Sequence, residues 1–118
     1  MSESIIKNKS YKLAVSGVEF YKKLISDKKE FVMSKQFLRS ITSVGANVRE
    51  AINAQSKPDF IHKLSIAQKE CDETMYWLEL LKDTNFINEK EFDEIYPKCT
   101  EVLKIIRSII ITAKKNNS

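Results

Sequence analysis

The sequence predicts an all-α fold, an antiparallel up-down-up-down four-helix bundle that occupies residues 1–118 as one domain. Apolar residues recur at steps of three and four along four long segments, which is the spacing of one helix face. The chain has only two glycines and two prolines, whereas sandwiches and barrels need many turns rich in those residues. Short connections between the segments favour antiparallel neighbours.

The first helix is predicted over residues 5–28. Its expected core stripe consists of apolar residues at helical spacing: Tyr11, Val15, Val18, Tyr21 and Ile25. Gly17 weakens this helix by about 1 kcal/mol relative to alanine. The pair Lys28-Lys29 suits a helix C-terminus, where cations are favourable to the helix dipole.

The second helix is predicted over residues 34–54, with Ser34 as its N-cap. Its expected core stripe is Phe37, Ile41, Val44, Val48 and Ile52. The third helix is predicted over residues 57–83, with Ser56 as its N-cap, Pro58 in the first turn and Asp59 at the positive end of the dipole. Its expected core stripe is Phe60, Leu64, Ala67, Cys71, Met75, Leu78 and Leu81.

The fourth helix is predicted over residues 89–114. Asn88 and Glu91 have the spacing of a capping box. A core seam is expected from Phe92, Ile95, Cys99, Val102, Ile106, Ile109 and Ala113, with a second apolar line beside it at Tyr96, Leu103 and Ile110. Pro97 lies inside this pattern and is expected to kink or locally break the helix, because it cannot donate a backbone hydrogen bond.

Composition points to a cytoplasmic protein without a membrane segment. No apolar run follows Met1 as in a secretory signal, and Arg107 and Ser108 interrupt the longest apolar stretch. The two cysteines, Cys71 and Cys99, are interpreted as reduced core residues, with a disulfide or a metal pair as alternatives.

Residues needed for catalysis are not found in recognisable patterns, so we expect no enzymatic activity, no cofactor and no metal. The single histidine, His62, is expected to be a solvated or capping residue on a helix flank. The cysteines are 28 positions apart without paired ligands. No glycine-rich phosphate loop is present, and Ser43 has no histidine partner for nucleophilic catalysis.

The second and third helices carry decorated faces away from their core stripes. Arg39, Ser43, Asn47 and Glu50 fall within about 80° of one another. On the third helix, Ile66, Trp77 and Leu80 lie off the core stripe, on the same side as Glu70 and Glu73. A tryptophan with two large aliphatic residues there favours contact with another chain, in which these acids would meet Arg39 or Arg49 of a neighbour. An ordinary solvated face is the alternative.

The net charge of +4 permits contact with nucleic acid. Residues 1–30 hold seven lysines against four acids, while residues 57–83 hold four lysines against six acids. The candidate nucleic-acid-binding residues are Lys12, Lys22, Lys23, Lys28 and Lys29. No sequence-reading motif is visible, so binding to RNA or DNA is expected to have weak sequence specificity. A solvated lysine face, or charge pairing between helices, is the alternative.

The ordered motifs of the middle of the chain resemble those of a known family. They are Arg39, the run Ser43-Val44-Gly45-Ala46-Asn47-Val48-Arg49-Glu50-Ala51, the run Ser56-Lys57-Pro58-Asp59-Phe60, the pair Ile66-Ala67, and Glu73. This set resembles the four-helix-bundle proteins encoded in intervening sequences of bacterial 23S ribosomal RNA genes. The resemblance covers the chain from about Tyr11 to Lys114. Gly45 stands where that family usually has proline, and Ala51 where it has glycine, which affects how the second helix bends.

The resemblance implies a bundle that assembles as a homopentamer. It also implies kinship with the accessory variability determinant proteins of diversity-generating retroelements, which are basic pentamers that bind nucleic acid and a reverse transcriptase. The matching polar positions are Arg39, Ser43, Asn47, Glu50 and Glu73, interpreted as interface and organising residues. The expected function is therefore a non-enzymatic homo-oligomer that contacts RNA or DNA. The alternative is a scaffold that binds a protein partner such as a reverse transcriptase.

Overall fold

Four long helices make up almost all of the computed structural model, which describes residues 2–116. They are α1 (Ser2–Ser26), α2 (Met33–Ile52), α3 (Lys57–Asp83) and α4 (Glu89–Lys115). The bounds of α3 match the prediction, and those of α1, α2 and α4 differ by one to three residues at their ends. No strand occurs within the described part of the chain.

The helices form the predicted up-down-up-down bundle, with principal extents of 50 × 21 × 20 Å. Each helix packs along its two neighbours, α2 against α1 and α3, and α4 against α3 and α1. In residues 2–116 the backbones of the two diagonal pairs do not approach one another. The α1–α4 packing is the least extensive of the four, so a groove remains between these helices.

Side-chain caps at α3 and α4 explain where these helices begin. Ser56 Oγ accepts from the backbone N–H of Asp59 at 3.2 Å, and Pro58 lies in the first turn, as predicted. At α4, Asn88 Oδ1 accepts from the Glu91 N–H at 2.8 Å, while Glu91 Oε1 accepts from the Asn88 N–H at 2.9 Å. Both predicted caps are confirmed, and each satisfies backbone donors that would otherwise lack partners.

The N-terminus of α2 is capped by Glu30, and the prediction that Ser34 is its N-cap is wrong. The buried Glu30 carboxylate accepts from the backbone N–H groups of Val32, Met33 and Ser34 at 3.1, 3.0 and 2.6 Å. Ser34 lies inside the helix, where its hydroxyl donates to the Glu30 carbonyl oxygen at 2.7 Å. The Glu30 side chain precedes α2 and is long enough to reach the N–H groups at the start of that helix, so Ser34 is not needed as a cap.

The core follows the predicted stripes on α2, α3 and α4. Phe37, Ile41, Val44 and Val48 are fully buried on α2, and Ile52 packs partly buried against them. The buried apolar residues of α3 and α4 come from their predicted stripes and from the second line of α4: Leu64, Ala67, Cys71, Leu78, Leu81, Phe92, Ile95, Cys99, Val102, Leu103, Ile106 and Ile110.

The predicted core stripe of α1 is wrong, because it lies on the outside of the bundle. Tyr11, Val15 and Val18 are 59%, 43% and 37% exposed, and Tyr21 and Ile25 are only partly buried. The α1 residues that enter the core are Ile6, Leu13 and Leu24, with Phe20 packed against them.

Small residues in the true α1 stripe explain this difference. Ser10 and Gly17 occupy buried positions between the large apolar residues, so the stripe shows a weak apolar pattern. A Cβ on Gly17 would lie 2.6 Å from Ile41 Cγ2, and a Cβ on Gly45 would lie 3.3 Å from the Ser10 carbonyl oxygen. The glycines therefore allow α1 and α2 to approach closely, which outweighs the helix propensity that Gly17 loses.

The helices continue through Pro97 of α4 and through Gly45 and Ala51 of α2. α4 is continuous from Glu89 to Lys115, so the expected break at Pro97 does not occur. Pro97 and Asp93 are both exposed, which lets water bond to the Asp93 carbonyl that lacks its helical donor. Likewise, α2 runs through Gly45 and ends one residue after Ala51, which is buried.

Candidate functional site

Four of the predicted polar and aromatic residues meet in the seam between α2 and α3. The Arg39 guanidinium donates through Nη2 to Glu73 Oε2, and its Nη1 lies 3.2 Å from Glu70 Oε1. The Trp77 indole N–H donates to the same Glu73 oxygen at 3.1 Å. These partners all belong to one chain. Arg39 therefore meets Glu70 and Glu73 of its own chain, whereas from the sequence we expected it to meet these acids in a neighbouring chain.

Charge pairing in this seam sets its protonation. The hydrogen bond from Trp77, supported by the bond and charge of Arg39, lowers the pKa of Glu73 below its usual value. The bond to Glu73, with the charge of Glu70, raises the pKa of Arg39. A buried bond between the hydroxyl groups of Thr74 and Ser40, at 2.9 Å, continues the polar line into the bundle. Both shifts favour the charged forms of Arg39 and Glu73, so the contact between α2 and α3 in this seam is an ion pair.

The other predicted organising residues flank this seam. Glu50 forms an ion pair with Lys63 of α3 at 2.9 Å. Asn47 is partly buried and donates through Nδ2 to the carbonyl oxygen of Ser43 in its own helix, at 2.9 Å. Ile66 and Leu80, the aliphatic members of the proposed contact surface, are each partly buried.

The candidate lysines differ in their surroundings. Lys12, Lys22, Lys23 and Lys29 are exposed and form no ion pair within residues 2–116. Lys28 Nζ lies 3.5 Å from Glu91 Oε1 at the start of α4, so this lysine forms an ion pair within the chain. Most of the predicted cationic set thus remains available to an anionic ligand.

Sequence reasoning missed a basic and aromatic surface centred on Tyr11. The phenol lines two grooves, one of about 470 Å³ between α1 and α2 and one of about 440 Å³ between α1 and α4. The Arg49 guanidinium carbon lies 6.0 Å from the Tyr11 ring centroid. The assignment of Tyr11 to the core hid this surface, and the spacing of Ile6, Leu13 and Leu24 was the signal that could have revealed it.

The two cysteines are buried, and the single histidine lies at the surface. Cys71 and Cys99 are free and buried, as interpreted, and Cys71 Sγ donates to the Cys99 carbonyl oxygen at 3.3 Å. Burial raises the pKa of the Cys71 thiol to about 12, and that of Cys99 is raised as well. His62 is exposed. Within residues 2–116, no group of three His, Cys, Asp or Glu side chains has the geometry of a metal site.

None of the helices between residues 2 and 116 has the length and apolar character needed to span a bilayer.

Comparison with known proteins places this architecture in a family. No match to the chain was found among curated proteins. The chain is 53% identical to a protein of unknown function from the S23 ribosomal protein family of Bacteroides thetaiotaomicron, whose crystal structure superposes with a TM-score of 0.91. The match covers 93% of this chain and 98% of that one. A family model described as 23S rRNA-intervening sequence protein matches residues 2–108. The chain therefore belongs to the family of 23S rRNA-intervening sequence proteins.

Proposed function

We propose that this protein is a non-enzymatic, cytoplasmic, nucleic-acid-binding bundle that acts as a homo-oligomer, with the five subunits that its resemblance to the family implies. The observation that carries the proposal is the set of unpaired lysines on α1 and the loop after it. These residues are exposed and form no ion pair within residues 2–116: Lys7, Lys12, Lys22, Lys23 and Lys29.

The acids of the same segment form no direct ion pair with these lysines within residues 2–116. Glu30 is buried as the cap of α2, where its carboxylate is held by backbone donors. Glu3, Glu19 and Asp27 are exposed, but none of them forms a salt bridge to a lysine of the described chain. A cluster of free ammonium groups raises the local concentration of phosphate chains, and repetition of this surface around an oligomer multiplies the effect.

Apolar exposure on α1 supports self-association. Val15 and Val18 lie on the outward face of α1, next to the unpaired lysines. A row of exposed branched residues on a helix favours contact with another protein surface. In this proposal the residues of the α2–α3 seam, Arg39, Glu73 and Trp77, set the shape of the surface that a neighbouring subunit meets.

A salt series tests the nucleic-acid part of the proposal. Fluorescence anisotropy with structured RNA, duplex DNA and single strands is expected to show micromolar or tighter binding that weakens steeply as salt rises. The double variant Lys22→Gln, Lys23→Gln is expected to weaken binding and to reduce the slope against log salt by about 2. The matched control is Lys69→Gln, Lys104→Gln, which removes two exposed lysines of α3 and α4. The absence of binding at low salt would contradict the proposal.

Light scattering tests the oligomer. A mass of several subunits at micromolar concentration is expected, and a purely monomeric mass would remove this part of the proposal.

A protein scaffold is the second candidate function, and one observation favours it. Phe31 and Val32, in the loop between α1 and α2, are 54% and 75% exposed beside Lys29. A protein partner such as a reverse transcriptase would cover these side chains, and nucleic acid would then contact the partner. If the variant Phe31→Ser, Val32→Ser keeps salt-dependent binding, the binding of nucleic acid does not depend on this loop.

A further inference from the structure

We propose that the surface around Tyr11 is a binding site for an unpaired stretch of nucleic acid, with one base stacked on the phenol ring. This inference rests on the proposed function and narrows its ligand to single strands. Tyr11 is the most exposed aromatic side chain of α1, and it forms a wall shared by the two grooves beside that helix. A ring presented in this way leaves a face free for stacking.

The charges around Tyr11 fit a phosphate chain that passes over it. Four cationic side chains line the two grooves without a carboxylate partner in the described chain: Lys7, Lys12, Arg49 and Lys98. The acids in the grooves are already neutralised. Glu101 pairs with Lys9 at 3.1 Å, and Glu50 pairs with Lys63 at 2.9 Å. The surface therefore carries several uncompensated positive charges on both sides of one aromatic ring.

The shape of the α1–α2 groove favours a flat, unstacked base. Its lining includes three small residues, Ala14, Gly45 and Ala46, which leave open space beside the Tyr11 ring. Arg49 lies over the Tyr11 ring at 6.0 Å from its centroid, and so can contact a phosphate beside a base on the same ring. In a duplex the faces of the bases are stacked on one another, so the ring has nothing to stack on. The geometry thus selects single strands over duplexes, while the cations alone would accept both.

A second copy of the chain is the competing occupant, because Tyr11 continues into the exposed line of Val15 and Val18. Nucleic acid is favoured at Tyr11 because the unpaired charged groups around the ring are all cations, which a phosphate chain neutralises and a second α1 surface does not.

Anisotropy titrations of the full chain test the site directly. The probes are labelled oligouridylate and oligothymidylate of about 12 nucleotides, which span a typical site, and a duplex of the same length. Tyr11→Ala is expected to weaken single-strand binding by about tenfold or more without changing the salt slope, since stacking is lost and the phosphate contacts remain. Tyr11→Phe keeps the ring and is expected to stay within about twofold of the unaltered protein. Comparison of the two oligomers shows whether the strand is RNA or DNA.

The matched control is Tyr76→Ala, which removes a similarly exposed tyrosine from α3 that lines neither of the two grooves. It is expected to leave binding unchanged. Thermal melts followed by circular dichroism show whether each variant folds, and a photo-crosslink from 4-thiouridine to Tyr11 gives a second readout on the unaltered protein.

The outcomes separate this site from the broader proposed function. Salt-dependent binding that Tyr11→Ala leaves intact, or equal affinity for single strands and duplex, would overturn the stacking site while the proposed function stands. A loss of oligomer mass in Tyr11→Ala with unchanged affinity would assign the ring to contact between copies. If no probe binds at low salt, both proposals fail.

Discussion

The outward face of α1 and the seam between α2 and α3 are built from similar residues, since both set cations beside aromatic rings. In the seam, Arg39 and Trp77 bind the carboxylate of Glu73, so the charges compensate one another within one chain. On α1, Tyr11 lies among Lys7, Lys12 and other cations that have no acidic partner in residues 2–116.

The difference shows how similar residue types serve different purposes. Compensated charges fix the relative position of two helices and contribute to folding. Uncompensated charges contribute little to folding and remain available to a ligand.

The largest effect is expected from truncating the core face of α1 rather than its outward face. Leu13→Ala removes a fully buried side chain and is expected to cost about 2–5 kcal/mol of unfolding free energy. Val15→Ala, two residues along the same helix, removes a half-exposed side chain and is expected to change stability by less than about 0.5 kcal/mol. Urea denaturation followed by circular dichroism measures both. Similar costs for the two variants would restore the outward stripe as a core element.

The cap formed by Glu30 is expected to give the next largest effect. Glu30→Ala leaves the N–H groups of Val32, Met33 and Ser34 without their acceptor, which is expected to cost about 2 kcal/mol. Glu19→Ala is the matched control, because it removes an exposed acid of α1 that caps nothing. The two melting temperatures decide the matter. A loss in Glu19→Ala as large as that in Glu30→Ala would mean that net charge, rather than capping, is responsible.

The seam is expected to give a smaller effect that depends on pH. The folded pKa of Glu73 is lowered, so its stabilisation is fully present above the unfolded value of about 4.5 and is lost as the pH falls through the lower folded value. Glu73→Gln is therefore expected to have a lower free energy of unfolding than the unaltered protein at pH 7. The difference is expected to be about 1 kcal/mol or less, because the carboxylate is partly solvated. The two proteins are expected to converge in acid.

Trp77 is the only tryptophan of the chain and reports this seam by its fluorescence. Glu94→Gln is the control, since Glu94 is exposed on α4 and forms no ion pair within the described residues. A Glu73→Gln deficit that persists unchanged down to the lowest pH at which the protein stays folded would show that the seam does not depend on an ionised carboxylate.

Most of the fold could be predicted, because three helices bury large apolar residues at regular spacing. On α1 the same criterion failed, since Ser10 and Gly17 occupy buried positions while Tyr11 and Val15 occupy exposed ones. Hydrophobic periodicity measures the residues that a helix offers to a core. It does not measure where a neighbouring helix comes so close that only a small residue fits.

The candidate site was predicted in composition but not in its partners. A helical projection grouped Arg39, Asn47 and Glu50 on one side of α2. The projection cannot distinguish a side chain that meets α3 of its own chain from one that meets another subunit, because both lie on the border of the core. Pairing of Glu50 with Lys63 depends on the rotation of α2 against α3, which is set by packing throughout the bundle.

Asn47 gives the test with the smallest effect on folding and the most direct bearing on assembly. Its amide donates to the Ser43 carbonyl of its own helix, so Asn47→Leu removes no hydrogen bond between helices within residues 2–116. Because leucine is the better helix former, unfolding free energy is expected to rise by about 0.5 kcal/mol or stay unchanged. Asn53→Leu is the matched control, since Asn53 makes the same bond to Arg49 but lines the α1–α2 groove. If the seam side of α2 faces a neighbouring subunit, Asn47→Leu lowers the mass measured by light scattering and Asn53→Leu does not. An unchanged mass in Asn47→Leu would place the contact between copies elsewhere, and the outward face of α1 would then be the surface to test.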